Sequence, residues 1–401
     1  MKLSTEQTAS VESAILKQVR AHPGISRVAL ARDLKIAAST VGTYVGRLIT
    51  EGFLAESEKA VRESGRPPTT LRLNPEGGQF IGVDFEARNL MAMAVDFSDT
   101  PLKQTHKSIQ RSDSVSDIVT KIERAINEVL PDNRGRVLAI GIGAPGLVDP
   151  VRGIALHYKY INRWKNVPLT EPLSRKFGVP VYLENTIRSM ALAELWFGQG
   201  RGVRDWLCIG IRSGIGAGLV AGGQLQRGAT HRAGEIGRWR GLPLSIKALE
   251  FFSNGAGQAP ADLELQDVAS VRAILAALER VRQSGSKSLL PPRGEALTFK
   301  DVVRAASQRD RLTLEVLEVA AEMLGWAVAQ LALALNPERV ILTGPLTLLG
   351  DTLLHPLRKR AETILQESAG EVPAIVNSTM GEYSGALGAA ALAVHEWKPA
   401  R

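Results

Sequence analysis

The stretch WLCIGIRSGIGAGLVAGGQLQRGATHRAGEIGRW, Trp206 to Trp239, decides the reading of this chain. An apolar run, Leu207 to Ile211, enters Gly214, Gly216 and Gly218. Leu219 and Val220 then lead to Gly222 and Gly223. Two β-like runs joined by glycines predict a hairpin whose backbone comes close to another group. In nucleotide-binding folds that group is a phosphate, held by exposed backbone N–H groups; the alternative is a tight hairpin of small residues with no ligand. Nothing within the stretch decides between the two.

Working outward, 401 residues with 44% hydrophobic and 22% charged residues make a soluble globular composition with room for two or three domains. No apolar run approaches the length of a bilayer span, and MKLSTEQTAS carries no signal-peptide core. The expectation is a cytoplasmic protein with no membrane partner. The single cysteine, Cys208, excludes an intrachain disulfide and any multi-cysteine metal site, and is expected to pack as a small apolar residue. The formal net charge is +8; residues 1–75 hold 11 Lys/Arg against 7 Asp/Glu, so half the excess lies in the first fifth of the chain. That asymmetry points to an N-terminal module that meets a polyanion, or to a solvated basic face.

From Glu6 to Ala21, the residues Val11, Ile15, Leu16 and Val19 recur at helical spacing. His22–Gly24 ends that helix. Ser26 is a natural N-cap for a second helix carrying Val28, Leu30 and Leu34, and Ser39 for a third with Val41, Val45, Leu48 and Ile49 inward, closed by Gly52. This is a helix-turn-helix pattern. The other face of the third helix presents Ser39, Thr40, Thr43, Tyr44 and Arg47, the chemistry of a recognition helix in a major groove. Residues 52–75 then read as a wing: two extended runs around a charged tip, with Arg62 and Arg66 placed for phosphate or minor-groove contact. The alternative is a three-helix protein-binding module. SGRPPTT marks the boundary to the next domain.

After Pro75 the pattern becomes α/β. Strands are predicted over Phe80–Phe85 and Leu90–Phe97, then an amphipathic helix with Ile118, Ile122, Ile126 and Leu130 on one face. VLAIGIGAPGLVD reads as a buried strand entering a Gly-Pro-Gly loop, and VPVYLEN as a strand followed by the helix TIRSMALAELWFG. The hairpin, several helices, an almost wholly apolar helix over Ala320–Leu335, a strand–glycine–helix unit and a small-residue C-terminal helix complete the chain. Strand–loop–helix units in two halves suggest two α/β lobes around a cleft.

The order of motifs resembles the ROK family (repressors, open reading frames and kinases). The matching pieces are IGVD, Ile81–Asp84; GIGAPGLVD, Gly141–Asp149; LEN, Leu183–Asn185; IGIRSGIGAGLVAGGQLQRG, Ile209–Gly228; AGEIG, Ala233–Gly237; and LTGPLTLLGDTLLHPL, Leu342–Leu357. They run in order through essentially all of residues 78–398. The resemblance implies an N-terminal winged helix-turn-helix over 1–75, followed by a two-lobed actin-like (ribonuclease H-like) sugar-kinase fold. Its first lobe is 78–190 plus a C-terminal helix 380–398, and its second is 191–379. A helix-turn-helix ahead of such a body is the arrangement of the family's sugar-responsive repressors.

A kinase of this family uses an aspartate as general base after Glu-Asn, a glycine-bearing first phosphate loop, the glycine hairpin and a glycine-rich adenosine loop. This sequence keeps the hairpin alone. Thr186 stands where the base would be, and a threonine hydroxyl is far too weak a base near neutral pH. Asp84–Arg88 lacks the glycines and places Glu86 against a triphosphate. Thr343–Gly344–Pro345 replaces the third loop. The expectation is no catalytic residue, no ATP chemistry and no cofactor. Arg238 stands where the family has a histidine, and the cysteines of its structural zinc site are missing, so no metal is expected.

The sugar pocket is better kept. By resemblance, Asn185 and Glu235 bind sugar hydroxyls, Ala144, Pro145 and Gly146 line the cleft floor, and Trp164 offers a stacking surface. Arg238 either pairs with Glu235 or favours an anionic ligand such as a sugar acid or phosphate. Each has a plain structural alternative: Asn185 caps a helix, Glu235 makes a surface ion pair, Trp164 is packed. The implied partners are operator DNA, a sugar or sugar-derivative effector, and a second copy of the chain in a homodimer or tetramer. The rivals are a residual sugar kinase and a regulator answering to a protein partner. In this context the hairpin glycines read as scaffold that positions AGEIG, with Glu235 as the working residue of the opening stretch.

Overall fold

The computed structural model describes residues 5–58, 69–131, 136–253, 260–283, 285, 287–367 and 371–399. Two compact units emerge, residues 1–186 with 385–401, and residues 187–384.

The first unit begins with three helices, α1 (Thr5–Ala21), α2 (Arg27–Leu34) and α3 (Ala38–Thr50). Ile15, Leu16, Val19, Leu30, Val41, Val45 and Leu48 form their shared core. Ser26 caps α2 as expected, its hydroxyl accepting from the Ala29 N–H. Two expectations need correction. The N-cap of α3 is Ala37, without a side-chain bond, which places Ser39 inside the first turn. Val28 does not face inward; it is 77% exposed. Strand β1 (Ile25–Ser26) pairs with β3 (Thr69–Leu73), which also pairs antiparallel with β2 (Leu54–Glu58). The wing is therefore a hairpin closed on the helices. Its tip, with Arg62 and Arg66, lies outside the described residues.

Strands β4 (Gln79–Phe85), β5 (Asn89–Asp96) and β6 (Pro101–Ser108) form an antiparallel meander. Helix α4 (Val115–Val129) buries Ile118, Ile122 and Ile126 against it. Strand β7 (Val137–Ala144) then pairs parallel to β4, after which β8 (Leu147–Asp149), β9 (Ile154–His157) and β10 (Lys165–Pro168) make a small antiparallel sheet. Helix α5 (Thr170–Phe177) leads to β11 (Val181–Asn185), parallel to β7. The main sheet has the order β11-β7-β4-β5-β6.

Helix α6 (Thr186–Phe197) carries the chain into the second unit, where β12 (Trp206–Ile211), β13 (Ile215–Ala221) and β14 (Gln224–Gln226) form another meander. Helices α7 (Ile246–Phe252), α8 (Leu265–Ala269), α9 (Val271–Gln283), α10 (Phe299–Ser307) and α11 (Arg311–Leu335) come next. Then β15 (Arg339–Thr343) pairs parallel to β12, α12 (Asp351–Glu367) packs along α11, and β16 (Ala374–Asn377) pairs parallel to β15. The sheet order is β14-β13-β12-β15-β16. Both five-stranded sheets thus have one topology, an antiparallel meander whose first strand is extended by two parallel strands. That duplication is the actin-like sugar-kinase fold.

Helix α11 corrects the expectation about span length. Its 25 residues are long and apolar enough to cross a membrane, yet 72% of its most apolar window is buried. It is the core helix of the second unit, with Val316, Leu317, Ala320, Leu324, Val328 and Leu331 inward.

The glycines of the opening stretch now have a structural role. Gly210 and Gly216 face each other across β12 and β13, as do Cys208 and Gly218. A Cβ at Gly210 would collide with the Ile187 side chain, and one at Gly218 with Ala191, both on α6. The glycines let a helix lie close on the sheet.

Candidate functional site

On α3, Ser39 and Thr43 are exposed and Thr40 is half-buried, so these hydroxyls form the accessible face expected of a recognition helix. Thr43 Oγ1 donates to the Ser39 carbonyl at 3.1 Å, an i−4 bond that fixes its rotamer. Tyr44 departs from its expected role. It is 8% exposed and belongs to the module's core, with the Arg47 guanidinium 5.6 Å above its ring. Arg47 also donates to the buried Glu12 carboxylate at 3.0 Å, which holds α3 to α1. Part of its side chain remains open to solvent, so it braces the helix while keeping a charge at the surface.

In the first unit, β7 and β11 run parallel with Ala144 opposite Asn185. The Asn185 amide donates to the Gly146 carbonyl at 2.8 Å, so the structure brings Asn185 and the loop Ala144–Pro145–Gly146 together. Ala144 is buried; Pro145 and Gly146 are half-buried. Thr186 comes directly after Asn185. Its hydroxyl donates to Asp84 Oδ1 at 2.9 Å, and both residues are buried. Trp164 is 1% exposed and packs edge-on against Phe85, ring centroids 5.2 Å apart. Its faces are occupied by protein, so the stacking surface expected from sequence is replaced by a core position.

In the second unit, the Ala217 N–H donates to the Gly234 carbonyl at 2.8 Å, which seats the AGEIG segment on β13. Glu235 precedes a single 3₁₀ turn, Ile236–Arg238. Its carboxylate lies 3.6 Å from the Arg238 guanidinium. Arg188 of α6, itself 2% exposed, directs Nη1 at the Ala233 carbonyl from 3.5 Å. Burial pushes the Glu235 carboxyl above the usual glutamate range, against the opposing pull of Arg238, Arg188 and Arg232. Among the described residues no three His, Cys, Asp or Glu side chains converge as a metal site.

The raised value has a consequence for stability. Between the unfolded and the folded titration points the unfolded chain binds fewer protons, so stability falls as pH rises through that window. Above it, Glu235 is ionised at a cost. Glu235→Gln is therefore expected to raise the melting temperature near pH 7, and to lose that gain as pH drops below the ordinary glutamate range. A scan at both pH values checks it. A lower melting temperature at pH 7 would make Glu235 a structural ion-pair partner instead.

With this geometry in place, comparison with known proteins is direct. The ROK family profile matches residues 80–396, and a winged helix-turn-helix DNA-binding profile matches residues 11–54. The chain belongs to the ROK family. The xylose repressor of Caldicellulosiruptor bescii is 27% identical over 352 residues, covering 86% of this chain and 85% of its own. The solved structure of a ROK family transcriptional regulator, a homologue of the E. coli MLC protein, aligns with a TM-score of 0.78 at 25% identity, over 97% of this chain and 96% of its own. A ROK family glucokinase from Streptomyces griseus, solved with glucose and AMPPNP, aligns with a TM-score of 0.67 at 27% identity, over 79% of this chain and 99% of its own. The regulator's match extends over nearly the whole chain; the kinase's leaves a fifth of it unmatched.

Within this ROK chain, sequence reasoning missed the Thr186–Asp84 bond and the roles of Arg188 and Arg232 beside Glu235. Asp84 and Thr186 are 102 residues apart, and no local pattern links them. Arg188 lies in a helix of apolar and small residues, and its presence there was the one available signal.

Proposed function

We propose that this protein is a transcriptional regulator, acting as a repressor of carbohydrate uptake or catabolism genes, whose ROK body senses a sugar and catalyses nothing. In this reading residues 1–75 bind operator DNA. Residues 78–190 with 380–398, and residues 191–379, are the two lobes of the sensor. The observation that carries the reading is a winged helix-turn-helix with an accessible hydroxyl-bearing α3 on a ROK body whose base position is Thr186, already bonded to Asp84. The candidate effector-binding residues are Asn185 and the Ala144–Gly146 loop within the first unit and, within the second, Glu235 and Arg238. Asn both donates and accepts, and an ionised carboxylate accepts strongly from hydroxyls. The protein would work in the cytoplasm as a homodimer, its paired recognition helices matching two half-sites, and ligand would favour the arrangement with lower operator affinity.

Fluorescence anisotropy on DNA from upstream of the gene tests this. Sequence-selective binding that weakens linearly with the logarithm of salt concentration is expected. Thr43→Ala should cost about 1–3 kcal/mol on the selected site and relax its sequence preference. Equal affinity for all sequences would overturn the regulator reading. ATP-dependent phosphorylation of any sugar in a panel, by the unaltered protein, would overturn the non-enzymatic one.

A further inference from the structure

We infer that Arg47 grips a backbone phosphate of the operator, not a base edge, and that the buried Glu12 of α1 is the positioning residue that aims it. The inference rests on the proposed DNA-binding role of residues 1–75 and deepens it. Ser39, Thr43 and Arg47 follow one another at intervals of four residues, so they lie along one line of α3. Ser39 and Thr43 are exposed, and 42% of the Arg47 side chain is open to solvent. In helix-turn-helix modules the N-terminal residues of the recognition helix meet base edges, while the far end of such a helix can run along the sugar–phosphate backbone. Arg47 belongs to the last turn of α3, the backbone end. Glu51, the C-cap four residues on, is exposed and acidic, so the part of this line that can face an anion stops at Arg47.

Glu12 is 1% exposed, and its carboxylate accepts from Arg47 Nη1 at 3.0 Å. The Tyr44 ring lies 5.6 Å from the same guanidinium. A carboxylate and a ring therefore hold in place a long side chain that would otherwise sample many rotamers. A guanidinium carries five N–H donors in a planar fork, so the bond to Glu12 leaves donors for phosphate oxygens on the solvent side. Ordering such a side chain only on binding typically weakens affinity by roughly two- to tenfold, a loss that Glu12 avoids. The plain alternative is that the pair merely bolts α3 to α1. Burying a carboxylate costs desolvation, and an apolar residue beside Ile15, Leu16 and Val19 would join the helices at least as well. What an apolar residue would not do is fix where the cation stands.

The test uses the full-length protein, the selected operator and a set of its single-base-pair variants, each titrated over a salt series, with melting temperatures measured in parallel. Arg47→Ala alone would leave a buried carboxylate without its guanidinium, so it is combined with Glu12→Gln. The double variant is expected to weaken every sequence about tenfold alike, to keep the ranking of the operator variants, and to lower the salt slope by about one per protomer. Glu12→Ala with Arg47 intact should weaken all sequences about two- to tenfold, again without changing their ranking. Exchanging Gln for Ala at position 12 in the Arg47→Ala background should add nothing, because Glu12 acts only through Arg47. Arg47→Lys should recover part of the loss, since one ammonium cannot serve Glu12 and a phosphate together in the same fork. A changed ranking without Arg47 would make it a base reader and overturn the inference. An unchanged salt slope, or a Glu12→Ala loss that persists in the Arg47→Ala background, would reduce the pair to a structural bolt and overturn it as well. In each of those cases the regulator reading stands. If the unaltered protein shows no sequence-selective, salt-dependent binding, both are overturned.

Discussion

A Gly141→Ala variant is expected to melt roughly 5–10 °C below the native protein or to fail to fold, because two pieces of backbone occupy the space its methyl group needs. Gly141 on β7 and Gly82 on β4 are register neighbours in the first sheet. The C-terminal helix, Ser384–Glu396, lies on them. A Cβ at Gly141 would overlap the Ala389 carbonyl, and one at Gly82 the Ala386 carbonyl and the Ala390 N–H. Overpacking usually costs about 1–3 kcal/mol because side chains yield. Here the colliding atoms belong to a helix and to a central strand, so relief requires moving an element off the sheet. Ala386, Ala389, Ala390 and Ala393 are all buried, and the lost contact would expose that whole small-residue face. Gly42→Ala on α3 is the control: an added Cβ there meets nothing within 4 Å, and helix propensity alone should add about 0.5–1 kcal/mol. Thermal and urea denaturation of both variants decide the matter. A Gly141→Ala protein melting within a degree of the parent would show that the close approach is not structurally required.

The same feature explains what the opening hairpin glycines do. In each unit a helix presses on a glycine-bearing sheet, α6 on Gly210 and Gly218 in the second, the C-terminal helix on Gly82 and Gly141 in the first. A glycine that admits a helix and a glycine that admits a phosphate look alike in sequence, since both mark a close approach and neither states to what. The two lobes were legible because in each a run of strands, then helix, then strand can be read from hydrophobic patterning. The winged module was legible for the same reason, through its helical spacing and the Ser26 cap.

Side-chain roles were less legible where a residue has two plausible faces. Tyr44 and Val28 are the examples. On a helix wheel the tyrosine falls near the hydroxyl face and the valine near the apolar one. In the structure Tyr44 is buried, with Arg47 folded over its ring to reach Glu12, and Val28 is exposed. Trp164 shows the same limit, since an aromatic in a loop reads equally as a platform or as core, and Phe85 settles it. Asn185 and the Ala144–Gly146 loop lie together because adjacent parallel strands put their ends side by side. Contacts across hundreds of residues leave no local trace at all.

The largest of those hidden contacts supports the remaining prediction. Trp397→Ala is expected to cost about 3–5 kcal/mol and, beyond that, to weaken operator binding more than tenfold at temperatures where the protein is still folded. Trp397 lies just past the C-terminal helix and meets three rings edge-on: Phe53 at 5.3 Å, Phe80 at 5.7 Å and Phe97 at 5.8 Å. Phe53 lies between α3 and β2, Phe80 is on β4, and Phe97 directly follows β5. This one cluster therefore ties the helix-turn-helix module to the sensor's first sheet. A buried ion pair reinforces it: Arg20 of α1 donates to Asp99 at 2.7 Å and to the Phe97 carbonyl at 3.0 Å, with its guanidinium 5.4 Å from the Phe97 ring. Burial raises the Asp99 carboxyl above its ordinary range, against the opposing pull of Arg20. Removing the indole leaves a cavity among the rings and takes from Phe53, just after α3, one of the ring contacts that join it to the first sheet. A recognition helix held at a variable angle must be ordered on binding, which subtracts from affinity. The readout separates coupling from simple destabilisation, because Arg20→Ala and Trp397→Ala should both weaken DNA binding well below their melting temperatures. Native affinity in folded Trp397→Ala protein would show that the cluster only stabilises the unit, and that the module holds its orientation by other means.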